Sequence, residues 1–429
     1  MLFRDITILD RDFNVREHMY VGTKEKKIDY IGSEPPKEDY GEVYEGAGKL
    51  LMSAFYNAHA HSPMALMRGY GENMALSDWL NQRIFPFEDK LTGSAVYWGT
   101  MLCMAESLQF GIVSSTDMYY FCDDMARAVA ECGAKANISR SLVAFDDSDI
   151  WDSERFLDAK EFYQNWVGSG DGRVIPEMSL HAEYTNTETS IRQMAEYTKE
   201  TGSRMHVHLS ETKSEHEECK ARHGGKTPAQ LFNSLGVFDV PTVAAHCVHV
   251  DQEDIAILAE KKVTAASCPI SNLKLASGIC PAPALLDAGV NVAIGTDSVA
   301  SNNSLNFLEE IKTFALLHKA NNSDPTLITP REALYAATRA GALAQGRADC
   351  GCLAEGFRAD LIVLDLRRPH MHPVHDLANN VVYSADGRDI LLTMADGRVL
   401  YRNGEFLTID VEKTIACAER EMNAILKQL

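Results

Sequence analysis

A closed parallel (β/α)8 TIM-like barrel, with a small β-sandwich domain built from both chain ends, is the α/β fold this sequence predicts. Three observations predict it. Eight apolar, strand-like runs alternate with helical patterns through the middle of the chain. Turn-rich β segments occur at both ends. No GxGxxG phosphate turn follows an early strand, which disfavours the structural runner-up, an open doubly wound sheet.

The elements follow in chain order. Residues 1–50 read as short strands such as LFRDITILD and KKIDYIGS, the first part of the β domain. Residues 51–350 hold the eight runs: LLMSAFYNAHAH, GIVSSTDMYY, AKANISRSLVAF, VIPEMSLHAEY, RMHVHLSET, TVAAHCVHV, VTAASCPISN and VNVAIGTDS. Between them, TSIRQMAEYTKETG and QEDIAILAEKK carry helical periodicity. Residues 351–407 return to strands, ADLIVLDL among them, punctuated by Asp-Gly and Asn-Gly hairpin signals, and complete the β domain. Residues 408–429 form an amphipathic helix, with Val411, Ile415, Ala418, Met422, Ile425, Leu426 and Leu429 expected on one face.

Composition bounds the function. At 429 residues and 45% hydrophobic, the chain can bury a large core. A net charge of −20 argues against nucleic acid and anionic membranes, both of which reward positive surface. Ten scattered cysteines form no CxxC pair, so reduced thiols in a cytoplasm are expected. No basic-apolar leader and no membrane-length apolar run is seen.

The strands of such a barrel deliver their C-terminal ends to one face. The first run ends in NAHAHSP, and side chains alternate along a strand, so His59 and His61 point the same way. Run four ends at His181, run five at His208 followed by Glu211, run six carries His246, and run eight ends at Asp297. This convergence predicts a metal site with His59, His61, His208 and Asp297 as ligands. Three neutral imidazoles and one carboxylate suit Zn²⁺ or Fe²⁺ and leave a position for water. Run four contains no lysine to bridge two metals as a carbamate, so one divalent ion is expected. Such an ion makes water nucleophilic at neutral pH. Glu211 is placed as general acid–base, although a glutamate at a helix N-terminus is also favoured by the dipole alone. His206 and His249 read as supporting or packing histidines, and Cys247 as a small buried residue.

These residues carry a resemblance. NAHAHSPMALMRGYGENMALSDWL, HVHLSET, AAHCVHV, SNLKLASGI and GTDSVASNN are similar to motifs of the amidohydrolase superfamily, in its branch of mononuclear aminohydrolases. Within that branch the chain resembles the 5′-methylthioadenosine/S-adenosylhomocysteine deaminases over nearly its whole length. The resemblance implies the same four metal ligands, and Glu211, His246 and Asp297 as proton-handling residues. It further implies Glu88 toward ribose hydroxyls, His181 and Ser301 as substrate contacts, and Arg140 and Arg155 toward an amino-acid tail, since guanidinium binds carboxylate bidentately. Trp79 is expected either to cover the purine or the tail or to anchor the core. The chain departs from the group in SLHAEYTNTE around His181, in Ser298-Val299 and at Ser267, all in the pocket walls.

The expected activity is hydrolytic deamination of an adenosine-type nucleoside by a homo-oligomeric enzyme. The alternatives are another heteroaromatic aminohydrolase (guanine, cytosine or triazine type) and a non-catalytic scaffold on the same barrel.

Overall fold

The structure, a computed structural model, describes residues 1–74 and 76–429. Eight parallel strands form one sheet in strict chain order: Phe55–Ala60, Ile112–Tyr119, Lys135–Leu142, Val174–Leu180, Met205–Leu209, Thr242–His246, Thr264–Ser267 and Asn291–Ile294. Apart from two partly buried positions, every residue of these strands is buried, as parallel strands covered on both faces require. A parallel bridge from Ala60 to Asp297 joins the last strand to the first, and the Asp297 amide donates to the His59 carbonyl at 3.0 Å. Below that seam, Asn57 accepts from the Thr296 amide at 3.0 Å and donates to the Thr296 hydroxyl at 2.7 Å. The first residue of the NAHAH segment therefore ties together the two strands that carry its histidines and Asp297.

Both amphipathic segments named above form helices. Glu188–Thr201 is capped by the Thr187 hydroxyl and stops at Gly202, whose φ of 66° suits glycine. Gln252–Glu260 starts at Asp251, whose carboxylate accepts from the Asp254 amide at 2.9 Å.

The terminal segments meet in one nine-stranded mixed sheet. Its halves join where Leu361–Asp365 runs antiparallel to Lys49–Ser53. That sheet has its own core around Phe3, Ile6, Ile8, Val21, Leu361, Val363 and Leu392. The run LLMSAFYNAHAH is thus shared: its first half lies in this sheet, and the barrel begins after Ala54. The two bodies are joined by a buried charge cluster in which Lys135 Nζ sits 2.6 Å from Asp360 and 2.7 Å from Asp396, with the Tyr56 hydroxyl also on Asp360.

The closing helix, Val411–Leu426, packs on Gly93–Gln109 with a narrower face than its periodicity predicts. Thr414, Cys417, Ala418 and Ile425 are buried, while Ile415, Leu426 and Leu429 are exposed. The seven apolar positions span a wider arc than Gly93–Gln109 and the short helix Ser62–Met67 cover.

Candidate active site

The five strand-end histidines and Asp297 converge at the C-terminal mouth of the barrel. His59, His61 and His208 offer ligand nitrogens that all lie within 4.8 Å of one another. The His61 and His208 Nε2 atoms are 3.3 Å apart, and Asp297 Oδ1 lies 3.6 Å from His59 Nε2 and 3.4 Å from His61 Nε2. The opposite ring nitrogens are all held. His61 Nδ1 and His208 Nδ1 donate at 2.6 Å to the carbonyls of Met118 and His181, and His59 Nδ1 pairs with His206 Nε2 at 2.9 Å. The carbonyl partners fix the Nδ1–H tautomer of His61 and His208, so their Nε2 lone pairs face inward.

His59 is fully buried, its Nε2 has no hydrogen-bond partner, and burial lowers its pKa to about 3. A buried acceptor surrounded by other acceptors is costly unless a cation fills the space between them. The donor set fits a divalent ion. Burial opposes ionisation of Asp297, yet His59 beside it and the neighbouring imidazoles hold it well below the usual carboxylate range.

The residues expected to handle protons lie beside this cluster. Glu211 leaves the fifth strand just before the helix Lys213–Arg222, whose N-cap is Thr212, so it does not cap that helix. It lines the same cavity as His61, His208, His246 and Asp297, and burial, reinforced by Asp297, pushes its carboxyl up to about 8. His246 Nε2 stands 3.8 Å from Glu211 Oε2, and its Nδ1 accepts from the Asn272 amide at 3.0 Å, leaving the ring proton on Nε2. Ser210, His246 and Asp297 turn with φ of 47°, 72° and 58°, a left-handed backbone that aims strand-end side chains across the mouth.

Other expected contacts fall at different depths. Glu88, His181 and Trp79 line the cavity, and the His181 ring lies 4.9 Å from that of His208. Burial lowers the His181 pKa to about 4, so it is neutral near pH 7. Ser301, expected at the substrate, is 1% exposed and donates to Asp297 Oδ2 at 2.9 Å instead. The short helix Val299–Asn302 folds back under Asp297, so the hydroxyl reaches the carboxylate before any ligand. Arg140 and Arg155 line an outer chamber rather than the reactive cavity.

Several supporting residues lie in or near segments whose motifs resemble the family, but the sequence assigned them no role. Ser271 donates to Asp297 Oδ2 at 2.6 Å, and Ser277 donates to Glu211 Oε1 at 3.2 Å. With Asn272, all three come from SNLKLASG, the segment after strand seven, and each holds a different one of Asp297, His246 and Glu211. Glu215 clamps the amides of Ser210 and Glu211 at 2.9 and 2.7 Å.

Known proteins share this fold and much of this sequence. The amidohydrolase family's sequence profile matches residues 50–400. The chain belongs to the amidohydrolase family. A curated 5-methylthioadenosine/S-adenosylhomocysteine deaminase from Pelotomaculum thermopropionicum is 40% identical to this amidohydrolase over 390 residues, 91% of this chain and 89% of the relative. A protein of the same name from Caldanaerobacter subterraneus is 38% identical over 429 residues, 100% of this chain and 99% of its own. Among solved structures, an adenosine deaminase from Xanthomonas campestris with bound zinc has a TM-score of 0.92 at 29% identity, covering 99% of this chain and 98% of that one. This amidohydrolase is a hydrolytic enzyme, and among its described residues no helix is long and apolar enough to cross a membrane.

Proposed function

We propose that this amidohydrolase deaminates an adenosine-type nucleoside at C6, giving the inosine analogue and ammonia. One observation carries the reading. Glu88 lines the same cavity as His61, His208, Glu211 and Asp297, with the Tyr120 hydroxyl 3.4 Å from its Oε2. A carboxylate there suits a ribose diol, and a free base offers no group for it to hold. The names of the two curated relatives support the same substrate class.

Zinc is the inferred ion, supported by the imidazole–carboxylate set and by the zinc-bound adenosine deaminase of the same fold. When bound, it supplies the Lewis acidity that makes water nucleophilic near pH 7. Asp297 accepts a proton from the water as its oxygen adds to C6, while Glu211 delivers a proton to ring N1. The His246 Nε2–H is oriented by Asn272 to donate to the adding oxygen. Asp297 then passes its proton to the amino group and the C6–N bond breaks. The remaining hydroxyl proton returns to Glu211 as the product enters its keto form, with N1 still protonated. All ten cysteines are unpaired, which supports a cytoplasmic setting.

The deciding measurement is ammonia release from S-adenosylhomocysteine, 5′-methylthioadenosine, 5′-deoxyadenosine, adenosine, guanine and cytosine. Turnover of the nucleosides alone is expected; turnover of a free base alone overturns the reading. A pH dependence follows as well. Burial lifts the Glu88 carboxyl to about 7, against the neighbouring Tyr119 and Tyr120 hydroxyls, which favour its charged form. Only ionised Glu88 accepts from both ribose hydroxyls, so nucleoside KM is expected to fall as pH rises through about 7. Glu88→Gln should flatten that dependence. A flat KM profile in the unmodified enzyme would count against ribose recognition by Glu88.

A further inference from the structure

The reactive cavity opens into the outer chamber, and among the described residues Phe85, Glu88, Tyr120 and His181 line both. Among these, Tyr120 contacts both Glu88, which reaches the reactive cavity, and Arg140, which lines the outer chamber alone. Its hydroxyl lies 3.4 Å from Glu88 Oε2, and the Arg140 guanidinium carbon lies 4.6 Å from its ring centroid. Arg140 is 8% exposed, donates through Nη1 to the Ser141 carbonyl at 2.8 Å, and places Nε 3.6 Å from Asp158. Among the described residues Nη2 makes no hydrogen bond, so the plane of the guanidinium is set by the tyrosine face and by contacts through its other two nitrogens.

We propose that Tyr120 is a specificity-determining residue that couples the two chambers. Its hydroxyl sets the rotation of Glu88, and its ring sets the plane in which Arg140 meets an anionic group on the 5′ substituent. This rests on the nucleoside reading above. A stacked guanidinium keeps its fork of donors in one plane, and a hydroxyl on a carboxylate leaves the second oxygen oriented. Because one side chain, just past the second barrel strand, does both, displacing it disturbs the two recognitions together. Contacts that share a partner in this way give non-additive losses.

The test uses metal-loaded enzyme and two substrates: S-adenosylhomocysteine, whose tail bears a carboxylate, and 5′-methylthioadenosine, whose tail is uncharged. In Tyr120→Phe, KM for both is expected to rise together by about tenfold with kcat held, because Glu88 loses a donor. Tyr120→Leu also removes the aromatic face, and a further loss of about three- to tenfold should fall on S-adenosylhomocysteine alone. In an Arg140→Gln background that further loss should vanish. Equal losses on both substrates in Tyr120→Leu, or full additivity with Arg140→Gln, would overturn the coupling. If Tyr120→Leu does not fold, Tyr120→Phe still decides: unchanged KM for both substrates overturns the proposal. Failure of the nucleoside reading looks different, because the unmodified enzyme would then turn over neither compound.

Discussion

Glu211→Gln is expected to lower kcat by about 10²- to 10⁴-fold while metal content and KM stay near those of the unmodified enzyme. The residue is 8% exposed and sits in a cavity where burial is hostile to charge, which pushes its carboxyl up to about 8. Burial favours its protonated form, the form that can give a proton to a ring nitrogen. Ser277 holds one of its oxygens and Glu215 holds its backbone amide, so the proton is delivered from a fixed position. Glutamine keeps the shape and can still accept from Ser277, but it cannot transfer and recover a proton. Comparing steady-state rates with metal analysis separates this role from a structural one. Retained turnover in the variant would remove Glu211 from the chemistry.

Removing the divalent ion is expected to abolish turnover and to lower the melting temperature, with one equivalent per chain restoring both. The physical reason lies in how the donors face one another. His59 Nε2 is buried without a partner, and His61 and His208 turn their Nε2 atoms toward the same space, 3.3 Å apart. Without a cation these lone pairs repel; with one they become ligands, and an ion that binds only the folded chain stabilises it by mass action. His61→Ala should reproduce the loss, since its ring is the more exposed of the two from NAHAH and its removal perturbs the core least. Thermal melts and metal stoichiometry give readouts independent of activity. Full activity in a metal-free preparation would refute the site.

Much of the candidate site is legible in the sequence, because the relevant signals are local. The alternation of Asn57, His59 and His61 follows from strand geometry, and eight runs with polar ends follow from the barrel. The residues that hold Asp297, His246 and Glu211 are not legible in the same way. Ser271, Asn272 and Ser277 are ordinary polar residues in and after a short helix, and no periodicity distinguishes them from solvent-facing ones. Ser301 reads as a ligand contact and is instead a carboxylate partner, since two hydroxyls of similar sequence character differ only in where the loop folds. The closing helix shows the same limit: its period reveals an apolar side, but the neighbouring helix decides which residues of that side are covered.

By itself the sequence determined the class of barrel and brought the expected metal-binding residues to the ends of its strands, because alternation and helical period are properties of a local backbone; the kind of reaction came from the resemblance of its motifs to the amidohydrolases. Tertiary structure alone decided that Ser301 serves Asp297, that Tyr120 stands between Glu88 and Arg140, and that both arginines belong to an outer chamber. Those outcomes depend on how the segments after the strand ends fold back over the barrel mouth, which no local backbone period encodes: Ser301 is only four residues from Asp297, yet the turn between them decides what its hydroxyl meets.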